Sequence, residues 1–356
     1  MENKTEHLFF EYLRDALWRN DENLPGELSD KEMTELLSLA EQQTVLGLVM
    51  DSLTRHHVKM SKQWVFKAIA LIEQVKQQGL RVSHGICDLH VVFANSGVDY
   101  VVVKGQIVAS YYPEPLLRQA GDIDYYCDCK NFPLSQETIK QTWGIVGEKE
   151  SSEKHVHFER KGVVYEGHFD LLDLYSTPRN AYWQRLLDND GKAKVNIGDE
   201  FAFTLSPTLH VLYVFLHLYH HLLALGVGLR QFCDLAVMLH YAKDQIDMNA
   251  LRKHLDELGM EKAWRACGCL LIDYLGLPEE ELGYSLYSAD RKYGKKILDV
   301  VLYRGNMGHY NKRGGFSGWK HKLEAVGIKL SHFFKFMPLA PSYTCGWLWH
   351  EVKRSL

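Results

Sequence analysis

The 356-residue sequence predicts an α+β fold, a small mixed β-sheet core flanked by N-terminal and C-terminal helical regions. Two observations predict it. Before residue 97 and after residue 206, apolar residues recur at three-and-four spacing, the pattern of helices with one buried face. Between them the pattern changes to short β-branched or alternating runs bounded by glycine, which read as strands. The expected division is residues 1–96, 97–205 and 206–356. A composition of 46% hydrophobic and 24% charged residues is that of an ordinary globular protein able to bury a large core.

Taken in order, His7 to Trp18 is amphipathic. Ser29 with Glu32 three residues on is a capping box and opens a predicted helix to about Leu53. Ser61 is expected to cap a long pattern running through Trp64, Ile69, Ile72, Val75, Leu80, Ile86, Leu89, Val92 and Phe93, with Gly97 as its left-handed end. Val98 to Val103 reads as a buried strand and Gly105 to Tyr112 as a short helix. Asp122 to Cys127 is a strand and Leu134 to Trp143 a helix. His155 to Arg160 and Val163 to Asp170 form strands joined by a Lys161-Gly162 hairpin. Ser206-Pro207 marks a helix start. Helices then follow at 208–225, 229–241, 248–258, 261–275 and 290–303, with a Gly226-Val227-Gly228 break after the first. A glycine- and base-rich loop at 303–317 precedes a basic amphipathic helix from Trp319 to Phe336.

Charge and cysteine usage bound the setting. The net charge of −4 argues against a chain coated in nucleic acid. It is uneven, however: residues 289–356 carry 13 Lys and Arg against 4 Asp and Glu. That tail suits either a solvated face or contact with a polyanion or a membrane surface. The seven cysteines form no paired framework, and both C-x-C pairs miss zinc-ribbon spacing. The polar N-terminus is no signal peptide, and no apolar run reaches membrane-spanning length. A cytoplasmic location is expected.

The chemistry concentrates in two stretches. Lys104-Gly105 ends the first strand, and Gln106 follows on the next helix. Such a turn offers backbone N–H groups to a phosphate, and Lys104 adds a point charge. The second stretch is Arg118 followed by Asp122-Ile123-Asp124. Strand alternation puts both aspartates on one face, where a divalent cation relieves their repulsion. Either motif alone also occurs as a plain turn or a solvent-facing pair; their succession is the specific signal.

These residues resemble the DNA polymerase β-type nucleotidyltransferase superfamily, whose core sets a glycine turn before a helix and an Asp-x-Asp on the next strand. They resemble more narrowly a bacterial branch of uncharacterised nucleotidyltransferases with a helix–core–helix layout. There the turn reads Lys-Gly and an arginine precedes the Asp-x-Asp, as Lys104-Gly105, Arg118 and Asp122-Ile123-Asp124 do here. The wider superfamily's Gly-Ser serine is absent. The superfamily also supplies a third carboxylate from a later strand. Glu166, His168 and Asp170 all fall on one face by alternation, so Glu166 and Asp170 both stand as candidates. The branch's acid-x-His element favours Glu166, with His168 beside it. The resemblance implies Asp122, Asp124 and Glu166 as catalytic and metal-holding residues, with Mg2+ or Mn2+ as cofactor. It implies Lys104, Gly105, Gln106, Arg118, His168 and Arg230 as nucleotide or phosphate contacts.

Each accessory residue has a second reading. Arg118 suits a two-pronged grip on phosphate or an exposed loop position. Arg230 suits a phosphate or base contact, or an ion pair with Asp234 four residues on. His217 and His221 share a helix face at zinc-compatible spacing but lack the metalloprotease glutamate, which favours satisfied buried histidines. The expected activity is metal-dependent transfer of an NMP from an NTP, ATP first among them, to an acceptor hydroxyl with release of pyrophosphate. The acceptor is a small molecule or a protein before a nucleic acid. A non-catalytic nucleotide-binding or antitoxin-like regulatory module, or a phosphohydrolase using the same acids, are the alternatives.

Overall fold

The computed structural model describes residues 4–20, 24–149, 155–198, 200–224, 226–305 and 319–355. Most of the loop expected at 303–317 and the first three residues lie outside them.

The N-terminal pattern resolves into four helices: α1 (Lys4–Trp18), α2 (Asp30–Gln42), α3 (Leu46–Arg55) and α4 (Lys62–Ser96). Ser29 and Glu32 form the expected capping box. The single helix predicted from there to Leu53 is broken instead, at Thr44 with φ 54°. Tertiary bonds cause the break. The buried Gln43 donates from its amide to Val301 O at 3.0 Å and accepts from Leu229 N at 3.0 Å, so it leaves the helix to tie three elements together. Ser61 stands at the start of α4, but its side chain makes no capping bond. Gly97 closes α4 at φ 66°, as expected.

The core sheet follows: β1 (Val101–Val103), the short helix α5 (Gly105–Ala109), β2 (Ile123–Tyr126), α6 (Asn131–Trp143), β3 (Glu148–Lys149), β4 (His155–Arg160) and β5 (Val163–His168). Strand order is β1-β2-β5-β4-β3, with β2 and β5 parallel and the other pairs antiparallel. The sheet is therefore mixed, as predicted. Lys161 and Gly162 both have positive φ, the primed turn that a two-residue hairpin requires. Two strand ends differ from expectation. Asp122 precedes β2, and β5 stops at His168, so alternation no longer governs Asp170.

Helix α7 (Thr177–Asp188) and the hairpin β6 (Ala193–Ile197)–β7 (Glu200–Thr204) add to the predicted elements; Ala193 to Ile197 alternates strictly, a strand signal, while α7 mixes polar and apolar residues. The C-terminal part comprises α8 (Pro207–Ala224), α9 (Leu229–Tyr241), α10 (Met248–Glu257), α11 (Glu261–Asp273), α12 (Ser288–Arg304), α13 (Trp319–Phe336) and α14 (Pro341–Ser355). All but α14 match predicted helices. Among the described residues no helix is long and apolar enough to cross a membrane.

Two hydrophobic cores hold these elements. The larger contains residues of α1–α3 together with α8, α9, α11 and α12, so the first and last helices bury one another. Trp18 and Arg14 of α1 also donate to the carbonyls of Leu275 and Tyr274. The smaller core lies between α4 and the sheet. Gly85 sets that contact: a Cβ there would stand 2.7 Å from Tyr165 Oη and 2.8 Å from Ile123 Cδ1. Ile123 and Tyr165 are themselves register partners on β2 and β5, the strands that carry the candidate acids. Gly85→Val is therefore expected to destabilise the fold by about 1–3 kcal/mol through overpacking. A lower urea midpoint in chemical unfolding would show it; an unchanged midpoint would mean that α4 does not press on these strands.

Candidate active site

The register of three strands assembles the acids. Asp124 lies opposite Val103 on β1 and opposite Glu166 on β5, while Tyr126 lies opposite His168. Because β2 and β5 run parallel, Asp124, Glu166 and His168 come up on one face. Their ligand atoms lie within 4.8 Å of one another, the arrangement of a metal-binding group. Among the described residues it is the one such group of three. Asp122 lines the same cleft from the residue before β2 but stands outside this group. His168, expected at the nucleotide, stands inside it.

Seven of the nine expected site residues, Lys104, Gly105, Arg118, Asp122, Asp124, Glu166 and Arg230, line one cleft of about 190 Å3. Val214, His217, His221, Gln231 and Asp234 complete its wall from α8 and α9. His168, in the acid group, and Gln106 are the two expected residues that do not line it. The buried Gln106 side chain turns to α4, where its amide donates to Gly79 O and Ser83 Oγ, both at 3.3 Å. Any phosphate contact at this position falls to the backbone.

The acids are unequal. Asp124 is buried, and its Oδ1 accepts from Lys104 Nζ at 3.0 Å and from His168 Nε2 at 3.1 Å. Burial would raise its pKa, but Lys104 and His168 outweigh that and hold it ionised well below the usual carboxylate range. Glu166 has no comparable cation. Burial, then the charges of Asp124 and Asp122, push it up to about 6. Lys104 is partly buried, which would lower its pKa, yet Asp124, with Tyr213 and Asp122, keeps its ammonium protonated.

Helix α8 supplies the other side. His210 Nε2 accepts from the Lys104 backbone N–H at 3.2 Å. His217 Nε2 lies 3.1 Å from both Lys104 Nζ and His221 Nε2. Burial, reinforced by Lys104, drives His210 and His221 down to about 3 and His217 well below its ordinary range, so all three are neutral at pH 7. The zinc alternative for His217 and His221 finds no third ligand among the described residues. His210 escaped the sequence reading, although it lies seven residues before His217 and so shares its helix face.

The arginines correct two expectations. Arg118 is not an exposed loop residue. It is buried and makes two parallel 2.7 Å bonds to Asp234, which also accepts from Tyr112 Oη at 2.7 Å. Asp234 is thereby taken, and the expected Arg230–Asp234 pair does not form. Arg230 instead donates from Nη1 to Gln119 O at 2.8 Å, and its Nε is buried with no hydrogen-bond partner. Burial and the neighbouring Arg118 charge both disfavour the Arg230 cation. The cleft thus has two unsatisfied charges of opposite kind. Three carboxyls face one lysine and one imidazole, while Asp234 is taken by Arg118 and Arg230 has no carboxylate bonded to it.

A profile of the family described as uncharacterised nucleotidyltransferase matches residues 29–276. The chain belongs to that family. The match spans α2 through α11 and contains every cleft residue named above. An antigenic nucleotidyltransferase-like protein from Paracoccidioides brasiliensis is similar in structure at a TM-score of 0.34 and 16% identity, over 58% of this chain and 93% of that one. No curated protein matches.

The donor set fits a divalent cation. Two carboxylates and an imidazole suit Mn2+, and the carboxylates with Asp122 nearby suit Mg2+. Burial first, and then the charges of Asp124 and Asp122, raise the pKa of Glu166. A carboxyl whose folded pKa exceeds its unfolded value favours folding while protonated, and that contribution is lost as pH rises from about 4.5 to about 6. Without metal, Glu166→Gln is therefore expected to stabilise the fold at pH 8 by about 1–2 kcal/mol, and to change it little at pH 4. Urea unfolding in chelator at the two pH values measures this; equal effects at both would remove the claim that Glu166 is charge-strained.

Proposed function

We propose that this family member transfers a nucleoside monophosphate from an NTP, ATP first among them, to an acceptor hydroxyl, with release of pyrophosphate. The observation that carries the reading is the two-signed cleft. Acids able to hold a cation line the same small space as Arg230, whose Nε lacks a partner, and Arg118, held by Asp234, which is the charge pattern of a metal–triphosphate. Asp122 acts electrostatically on both groups and so lies between them in effect.

The chain's own groups divide the work. Asp124, Glu166 and His168, with Asp122 beside them, would hold Mg2+ or Mn2+. Bound there, the ion supplies charge neutralisation at the phosphates and a lower pKa for a hydroxyl. Arg230, with its free Nε, and Arg118, behind its aspartate, face the triphosphate and meet the charge of departing pyrophosphate. The acceptor oxygen attacks the α-phosphorus, the bond to the bridging β-phosphate oxygen breaks, and the acceptor proton passes to a carboxylate. Glu166 fits that role, since it is the partly exposed carboxyl of the acid group and lines the cleft.

The test incubates the protein with Mg2+, each α-labelled NTP and cell extract. Wild type is expected to release pyrophosphate and label an acceptor, and Asp124→Asn to abolish both. Arg230→Met is expected to weaken NTP binding by about 10–100-fold, the loss of one or two charge-assisted bonds, while Mn2+ binding is kept. Free nucleotide monophosphate without a labelled acceptor would indicate hydrolysis instead. Nucleotide binding with no turnover across all four NTPs would indicate a binding module.

A further inference from the structure

The seat between the acids already holds a cation belonging to the chain. Lys104 Nζ sits 3.0 Å from Asp124 Oδ1, in place of one contact that a metal ion would make there. The backbone is bent to put it there. Lys104 has φ 55° and ψ −147°, a conformation a residue with a Cβ rarely adopts, and its N–H is fixed by His210. The strain is absent from the rest of the strand–turn–helix unit except at Gly105, where glycine tolerates it. A lysine that only needed to reach phosphate would not require this aim.

We propose that Lys104 is a resident counter-cation that competes with the divalent ion for Asp124 and is drawn off by the incoming triphosphate, so that metal and nucleotide bind as a coupled pair. This rests on the transfer reading above and adds an order to it. Asp124 Oδ1 already accepts from both Lys104 and His168, so an ion arriving alone must displace one of them. A displaced ammonium would be left among neutral His217, His221 and the Tyr213 ring, with no other carboxylate bonded to it. Stranding a buried charge in this way is costly. A triphosphate held at Arg230 supplies the missing anion. Metal alone therefore binds weakly, and each ligand strengthens the other by the same factor.

Manganese titration by electron paramagnetic resonance or calorimetry tests this, with and without a non-hydrolysable ATP analogue. Wild type is expected to bind Mn2+ alone weakly and at least about fivefold more tightly with the analogue. Lys104→Met, folded by circular dichroism, is expected to bind Mn2+ alone about tenfold more tightly than wild type, with little further gain from the analogue. A plain phosphate-contact role predicts the reverse, unchanged Mn2+ binding and weakened nucleotide binding. That result, or a wild-type Mn2+ affinity indifferent to the analogue while the analogue binds, overturns the proposal. The wild-type arm needs no variant to fold. If the analogue binds to no form of the protein, the transfer reading fails, and the Mn2+ comparison between wild type and Lys104→Met still decides whether Lys104 occupies the metal's place.

A separate observation concerns the last two helices. Over its described part α13 leaves Val326, Leu330 and Phe334 exposed at successive four-residue steps, and α14 leaves Trp349 and Val352 exposed. Phe334 is 71% and Trp349 63% exposed. Lys329 pairs with Glu351 and joins the helices, while Lys353 lies over the Trp349 ring. This apolar stripe sits in the one strongly basic stretch of an otherwise acidic chain. We infer that α13 and α14 dock this face on an anionic lipid surface, aromatic and aliphatic side chains entering the headgroup layer and lysines meeting the phosphates. A nucleic acid would use the bases and aromatics but give the aliphatic stripe no partner.

Co-sedimentation with vesicles tests it. Wild type is expected to pellet with phosphatidylcholine vesicles containing one-third phosphatidylglycerol, less so in high salt, and not with phosphatidylcholine alone. The Phe334→Ser, Trp349→Ser double variant, with an unchanged melting temperature, is expected to bind at least about tenfold more weakly. No binding to anionic vesicles, equal binding by the double variant, or a wild-type dimer that the double variant dissolves would each overturn the inference.

Discussion

Like charges brought together out of water need a cation, and that constraint organises the centre of this protein. Parallel pairing of β2 with β5 sets Asp124 beside Glu166, with His168 on the same face. Within the sheet the His168 imidazole faces them. The strained turn at Lys104 delivers one positive charge to Asp124 and leaves Glu166 with a raised affinity for protons. The acid cluster is therefore stable as it stands but undercompensated, the condition in which a divalent ion is bound rather than merely tolerated.

The helices make this centre small and give it a second sign. Helix α8 closes one side with histidines kept neutral by burial, so they orient Lys104 without adding charge. Helix α9 brings Arg230 and Asp234, and the loop before β2 brings Arg118 to meet them. Gln43, at the break between α2 and α3, accepts the first free N–H groups of α9 through both its side chain and its backbone carbonyl. Gln119 caps Leu46 with its side chain while its carbonyl takes Arg230. The N-terminal helices thus fix the element that carries the arginines. This explains why they share a core with the C-terminal helices rather than forming a body of their own.

Much of this was legible in the sequence, and the gaps have physical causes. Periodicity found the long helices because their buried faces repeat over many turns. The strand–turn–helix and the Asp-x-Asp were legible because alternation and glycine carry local meaning. Register was not: only the parallel pairing of β2 with β5 shows that His168 joins the acids, while Asp170 lies past the end of β5. Pairing partners were not legible either. Asp234 had two arginines to choose from, and the closer one in sequence lost to the one that reached it with a two-pronged bond. Gln106 leaves the cleft for the same reason that Gln43 breaks its helix, since a buried amide answers to whichever distant backbone group lacks a partner.

The central claim is that the acids and the arginines of one cleft hold the two ends of a metal–triphosphate. Crystals soaked with Mn2+ and a non-hydrolysable NTP analogue, read by anomalous scattering at the manganese edge, test it most directly. The account predicts a manganese peak bonded to Asp124 and Glu166, a triphosphate extending to Arg230, and Lys104 turned from Asp124 to phosphate. A peak elsewhere, or a triphosphate seated away from Arg230 with Lys104 still on Asp124, would contradict it.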